Sequence, residues 1–293
     1  VGVVGAGRVG AALGSALRAA GHAVVGASAV SAASRERVEV MLPGVPVLQI
    51  PEVVERSELV LLTVPDDALA DLVAGLAATN AWQPGQIVVH TSGCHGWRVL
   101  DPAVARGIIP LALHPAMTFT GTSLDLSRLV ECCFGVTAPT AVLPIGQALV
   151  VEMGAEPVVV AEEMRPLYHA ALAHGANHLV TLVAQALELL AAAGVESPDR
   201  VIGPLLSAAL DTVLRRGNDA LTGPVARGDA GTVRAHVEAI SGSGLEAARA
   251  TYLALARVTA DQVLDAGRLR PEAAAALLAA LAQDRTSRVD PPA

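Results

Sequence analysis

The 293-residue chain contains no lysine: all 20 of its basic residues are arginine. That excludes a Schiff-base lysine, a P-loop lysine and a lysine general acid. Any charged clamp on an anion must therefore be arginine, histidine or a backbone dipole. Aromatic residues are scarce, at 2%, so the core must be built from Ala, Val and Leu. Cysteine occurs three times, at Cys94, Cys132 and Cys133, without metal-ligand spacing or a disulfide framework. The adjacent pair reads as buried strand residues, and free thiols fit a reducing cytoplasm. There is no excess of positive charge. The 28 acidic residues set the net charge at −8, which argues against the basic face that a nucleic-acid partner requires. Hydrophobic residues, at 53% against 16% charged, exclude disorder, because so apolar a chain buries enough surface to offset its ordering entropy. The apolar N-terminus carries Gly5, Gly7, Arg8 and Gly10 and reads as a strand and turn, not a leader. The apolar run 179–195 is interrupted by Gln185 and Glu188. It reads as a buried helix, so no membrane association is expected.

The first half alternates short β-branched runs with helical stretches. Strands are expected at 1–4, 23–27, 45–48, 59–64, 87–90, 108–114, 132–137 and 156–160. Helices are expected at 8–20, 66–78 and 140–153, with Asp66 or Asp67 near the N-cap of the second. Such alternation implies a largely parallel sheet covered on both faces. After Ala161 the β-branched runs stop and the period changes from 2 to 3.6. Helices are expected at 162–193, 198–216, 230–240, 245–266 and 271–283, with a Gly/Pro-rich loop at 217–228 and a frayed tail at 285–293. The expected domains are thus 1–160 and 161–293.

The segment Gly5-Ala6-Gly7-Arg8-Val9-Gly10 is G-x-G-x-x-G, placed between a Val-rich strand and an Ala/Leu helix at the start of a βαβ unit. That context makes it a dinucleotide-binding turn. Gly5 permits the turn, Gly7 lets backbone approach a pyrophosphate, and Gly10 lets helix and strand pack closely, while the helix N-terminus supplies amide donors. The fold class that follows is α/β: a doubly wound Rossmann domain, then an all-α domain. Where an NAD site would place an acid after the second strand, the chain has Gly26-Ala27-Ser28-Ala29-Val30-Ser31. Ser28 and Ser31 could donate to a 2′-phosphate, and Arg35 or Arg37 could pair with it. NADP is the favoured cofactor, with NAD left open. The fourth strand runs into Val64 and Pro65, which would border the ribose or nicotinamide, because ligands sit at the carboxyl ends of strands.

Three places could meet a small-molecule substrate. The fifth strand ends in His90-Thr91-Ser92-Gly93-Cys94-His95, where Ser92 and the Gly93 amide are natural oxygen binders, or an ordinary polar turn. The sixth ends at His114-Pro115. His114 could hydrogen-bond a carbonyl or carboxylate, or be a satisfied core histidine. The third is the long helix, where His169 and Asn177 lie eight residues and about 80° apart with small residues between. His169 could donate a proton to an alkoxide, and Asn177 could orient the substrate. His174 and His178 have i, i+4 spacing, but no H-E-x-x-H and no nearby carboxylate accompany them, so no metal site is expected. In the loop Leu221–Asp229, Arg227 could clamp a carboxylate with its planar fork. Alternatively, Asp229 caps the next helix and Arg227 is exposed.

G-A-G-R-V-G, T-V-P-D, T-S-G and H-P, followed by a helical domain, resemble the 6-phosphogluconate dehydrogenase-like superfamily. That group includes β-hydroxyacid dehydrogenases and prephenate dehydrogenases, as well as pyrroline-carboxylate and ketopantoate reductases. The Y-H-A-A…N segment and the L-T-G-P-V-A-R-G-D loop more specifically resemble bacterial Rossmann-like proteins with a C-terminal domain of unknown function. The resemblance implies an NAD(P)-dependent oxidoreductase and a homodimer built through the helical domains. Hydroxyacid and ketopantoate reductases place a lysine four residues before an asparagine on the first long helix. Here Asn177 is retained, but that position is Ala173. The expected function is reduction of a small 2-oxo acid such as ketopantoate. His169 would be the proton donor, Asn177 and Ser92 would orient the substrate, and Arg227 would hold its carboxylate. The alternatives are an imine or pyrroline-carboxylate reductase and a non-catalytic dinucleotide-binding regulator.

Overall fold

A computed structural model describes residues 1–282. In chain order the elements begin with β1 (Gly2–Val4), α1 (Arg8–Ala19), β2 (Gly26–Ser28), α2 (Ala32–Met41) and α3 (Ile50–Glu55). Next come β3 (Leu59–Leu62), α4 (Asp66–Ala78), β4 (Ile87–His90), α5 (Asp101–Val104) and β5 (Ile109–Pro115). Then follow α6 (Leu124–Leu129), β6 (Cys133–Thr137), α7 (Leu143–Glu152), β7 (Glu156–Val159) and α8 (Arg165–Ala192). The remainder is helical: α9 (Pro198–Arg216), α10 (Pro224–Arg227), α11 (Ala230–Gly242), α12 (Glu246–Asp265) and α13 (Pro271–Ala282). The tail expected to fray at 285–293, and the last residue of the helix expected at 271–283, lie outside the described residues.

The sheet has seven strands in the order β2-β1-β3-β4-β5-β6-β7. All neighbours are parallel except β5 and β6. The sheet is two-sided because apolar residues alternate at period 2. Val3, Leu61 and Val89 pack on one face with α1 and α7. Val4, Val60, Leu62 and Val88 pack on the other with α3 and α4. The expected strand at 45–48 contributes only one bridge, Val47 beside Ala27 of β2. Pro46 has no N–H to donate, and that limits the ladder. The bridge nevertheless lies on the outer side of β2, so the chain order around β1 is that of a dinucleotide fold, with its switch point between β1 and β3. Five helices have no counterpart in the expected set. Those at 50–55 and 124–129 have six residues and those at 101–104 and 224–227 have four, too short for a periodic signal. The fifth, α2, starts where Ser31 accepts the Ser34 N–H.

The chain divides into two compact units, Val1–His174 and Gly175–Ala293. The first turns of α8 go with the sheet because Arg165 is fully buried there. In the second unit α10, α11, α12 and α13 share a core of Val233, Leu253, Ala256, Val263, Leu277 and Leu281. An apolar cavity of about 380 Å³ lies between α8, α10 and α12. Beyond Arg165, α8 buries no residue, and α9 buries none. Leu182 on α8 and Leu205 and Leu214 on α9 are exposed. The segment Glu162–Ala192 is also long and apolar enough, by length and composition alone, to cross a membrane.

Candidate active site

Two clusters stand at the carboxyl edge of the sheet. The first surrounds the glycine turn after β1. Gly5 has φ +89°, a conformation that favours glycine. Its N–H donates to the Ser28 hydroxyl at 2.9 Å, and its carbonyl accepts from the Thr63 hydroxyl at 2.6 Å. Gly10 seats α1: a Cβ there would lie 2.3 Å from Thr63 Oγ1 and 2.5 Å from the Gly5 carbonyl oxygen. Gly7 is the N-cap of α1 and brings no side-chain cap. A Cβ on it would meet only the Gly5 oxygen, at 3.8 Å. The amides of Arg8 and Val9 thus open a helix whose positive end no side chain caps. Val64 borders this turn, its Cγ1 3.2 Å from where a Gly5 Cβ would be, and Pro65 is the exposed N-cap of α4.

The residues expected to read a 2′-phosphate are sorted differently by the structure. Ser28 is buried and holds the Gly5 amide, and Ser31 caps α2, so each has a local structural task. Arg35 makes one weak contact, to the Ala29 carbonyl at 3.5 Å. Arg37 is better placed. Gly121, at φ +80°, sits so close that a Cβ would lie 2.7 Å from Arg37 Nε and 2.9 Å from Arg8 Cγ. Among the described residues neither Arg37 nor Arg8 forms an ion pair or a side-chain hydrogen bond. The Gly121 loop is fixed from beneath by buried Asp125, which accepts from Thr120 N–H at 2.9 Å and Gly121 N–H at 2.7 Å. Burial raises the carboxyl pKa, but bonds from Thr120, Gly121 and Thr122 outweigh this and hold it below the ordinary range.

The second cluster joins the ends of β4 and β5 to the start of α8. His90 is fully buried; its Nε2 meets the Gly96 carbonyl at 2.9 Å, and its Nδ1 accepts the Ser92 N–H at 3.2 Å. That pairing fixes the Nε2–H tautomer. Burial pushes its pKa down to about 3, against the opposing pull of the Gly96 carbonyl, so it is neutral at pH 7. His90 thereby shapes the turn after β4. Ser92 belongs to the same turn: it is buried, its hydroxyl accepts the His95 N–H at 3.0 Å, and its carbonyl accepts from Arg165. It builds the loop where a substrate-binding hydroxyl was expected.

Gly93 is where the candidates converge. A Cβ on it would lie 2.4 Å from His169 Cδ2 and 2.9 Å from His114 Nε2. The two imidazoles are 5.7 Å apart, centre to centre, edge to face. His114 Nδ1 is 3.0 Å from the Tyr168 hydroxyl. Its pKa is lowered to about 4, chiefly by burial and then by Arg165 and His169, with Asp66 opposing. The sequence thus located His114, His169 and the Gly93 turn separately, and the fold brings them together.

Arg165, Tyr168, Glu162 and His90 were given no role by the sequence, and Asp66 was read only as a helix cap. Arg165 donates to the carbonyls of His95 (3.0 Å), Gly135 (3.1 Å) and Ser92, and stacks 5.5 Å over the Tyr168 ring. Glu162 accepts the N–H groups of Trp97 (2.9 Å) and Arg98 (3.2 Å), closing the far end of the same loop. A Tyr-His pair beside an arginine at a helix start was the available signal, but carbonyl partners leave no trace in composition. Asn177 and Arg227 lie in the second unit and are exposed. Arg227 donates to the Thr222 carbonyl of its own loop, and Asp229 caps α11 by accepting the Thr232 N–H at 3.1 Å. Among the described residues no cluster of three metal-ligating side chains occurs.

Fold and glycine turn together define a protein of the dinucleotide-binding class with an appended helical region. Residues 1–115 match the Rossmann-like domain, and residues 132–259 match a domain of unknown function, DUF2520. No curated protein matches the chain in sequence. Among solved structures, it is similar to a candidate NADP oxidoreductase of Bacteroides fragilis, with 22% identity over 88% of this chain and 96% of that one and a TM-score of 0.73. It is also similar to the imine reductase of Myxococcus stipitatus in complex with NADP+, with 19% identity, 91% and 93% coverage and a TM-score of 0.61. The reductive aminase of Aspergillus terreus, in complex with NADPH4, cyclohexanone and allyl amine, has 17% identity, 95% and 99% coverage and a TM-score of 0.65.

Proposed function

We propose that this protein is an NADP-dependent oxidoreductase that reduces a polar double bond in a small molecule, with a 2-oxo acid such as ketopantoate as the substrate class. The observation that carries the reading is the placement of two imidazoles against Gly93 on the same sheet edge as an open G-x-G-x-x-G turn. Gly5, Gly7, Gly10 and the Arg8 and Val9 amides would hold the pyrophosphate, and Arg8 and Arg37 would hold the 2′-phosphate. NADPH, when bound, supplies the hydride. His169 gives a proton to the oxygen that becomes the alcohol, and His114 hydrogen-bonds that oxygen. A second reading, reduction of an imine, is favoured by the imine reductases among the structural relatives. The exposed apolar side chains of α8 and α9 suit a homodimer in which a second copy covers them, and the free thiols suit a reducing cytoplasm.

The test is NADPH oxidation against a panel of 2-oxo acids and cyclic imines. Turnover of a 2-oxo acid is expected, with His169→Ala lowering kcat about 100-fold, the usual size of a lost proton donor. Tight NADPH binding with no turnover of either class would sink both enzymatic readings. Arg37→Ala is expected to weaken NADPH binding roughly tenfold or more while leaving NADH binding unchanged, because one charge-assisted contact is lost. Equal weakening of both nucleotides in a titration would remove Arg37 from the phosphate site.

A further inference from the structure

The Tyr168–His114 contact has a chemical consequence at the other end of the imidazole ring. A phenol is a far stronger acid than a neutral imidazole N–H. In a 3.0 Å contact between the two, the favoured arrangement is therefore O–H donating to the ring nitrogen. Nδ1 is then the acceptor, and the proton of the neutral ring resides on Nε2. Nε2 is the atom turned toward Gly93, and among the described residues it has no hydrogen-bond partner. The surroundings keep the ring neutral: burial first, and then the Arg165 cation and His169, disfavour a positive charge there. Gly135, opposite His114 in the β5–β6 ladder, makes the contact possible: a Cβ on it would stand 2.7 Å from the Tyr168 oxygen.

We infer that Tyr168 is a positioning residue that locks His114 as a neutral Nε2–H donor, so that the ligand atom beside Gly93 must be a hydrogen-bond acceptor. A carbonyl oxygen satisfies that requirement, as does the lone pair of an uncharged imine. A preformed iminium cation, which offers no lone pair, does not. Only the choice among substrates rests on the reductase reading; the locked tautomer stands on the protein alone.

The experiment is ring 15N–1H correlation on histidine-labelled protein, with the His114 signals identified by their loss in His114→Asn. In the cofactor-free wild type, Nε2 is expected to be protonated and Nδ1 bare. Tyr168→Phe is expected to yield a mixture of both tautomers. With NADP+ present, pyruvate is expected to move the Nε2–H resonance, and the N-methyl-pyrrolinium cation to leave it in place. A wild-type Nδ1–H tautomer, or an unchanged tautomer in Tyr168→Phe, overturns the lock. A response to the cation alone, or to neither probe, overturns the acceptor requirement. The expected tautomer in a protein that never oxidises NADPH overturns the reductase reading alone.

Discussion

Gly93→Ala is expected to lower kcat/KM about 100-fold while leaving NADPH affinity and the fold in place. The new methyl would stand 2.4 Å from His169 Cδ2 and 2.9 Å from His114 Nε2, where carbon contacts normally settle near 3.5–4.0 Å. One or both rings must move by about 1 Å, and displacement of that size at a reacting centre costs on the order of 100-fold. The backbone at Gly93 is not in the left-handed region, so alanine can adopt it. The stability cost should stay within the ~1–3 kcal/mol typical of overpacking. Steady-state kinetics beside a thermal melt separate the two effects. Near-wild-type kcat/KM in a folded Gly93→Ala protein would show that the paired imidazoles are not where the chemistry happens.

The second large effect is on stability. Arg165→Met is expected to cost about 3–5 kcal/mol, because buried carbonyl acceptors left without a donor cost roughly 1–3 kcal/mol each, and to lower Tm by roughly 10 °C at the usual conversion for a unit of this size. The guanidinium is fully buried and serves carbonyls from three positions, Ser92, His95 and Gly135. Its loss leaves those acceptors dry as well as opening a void. Arg165→Lys should recover only part of the loss, because one ammonium cannot reproduce a planar fork aimed at three oxygens. A denaturation midpoint within about 2 °C of wild type for Arg165→Met would mean that backbone and water satisfy these carbonyls unaided.

Much of the first unit was legible because its information is local. The G-x-G-x-x-G turn needs only its own six residues and flanking pattern, and its glycines hold the positions that their spacing implies. The strands at Leu59 and Ile87 follow from apolar runs bounded by turn residues. The converging residues Gly93, His114 and His169 were each visible as a polar group at a strand end or on a helix. Their meeting was not visible, because it depends on β6 running antiparallel and returning the chain to α8. Arg165 escaped notice because its partners are carbonyls, which every residue carries. Ser28, Ser31 and Arg227 were assigned to ligands because a hydroxyl or guanidinium in a turn looks available. In the folded chain the nearby backbone reaches the two serines first, and Arg227 reaches the Thr222 carbonyl.

The Arg165 clamp also bears on how the chain assembles. Its bonds to Ser92 and His95 span 73 and 70 residues, and the Glu162 contact to Trp97 spans 65. The glycine turn after β1 takes its partners from Ser28 and Thr63, so it needs the chain only as far as the end of β3. The loop around Gly93 acquires its anchors only after β6, β7 and the first turn of α8 are in place, at the entropic cost of closing a long segment. The reactive loop thus depends on far more of the chain than the glycine turn does, and a truncation ahead of α8 would remove its anchors while leaving the turn's own partners present.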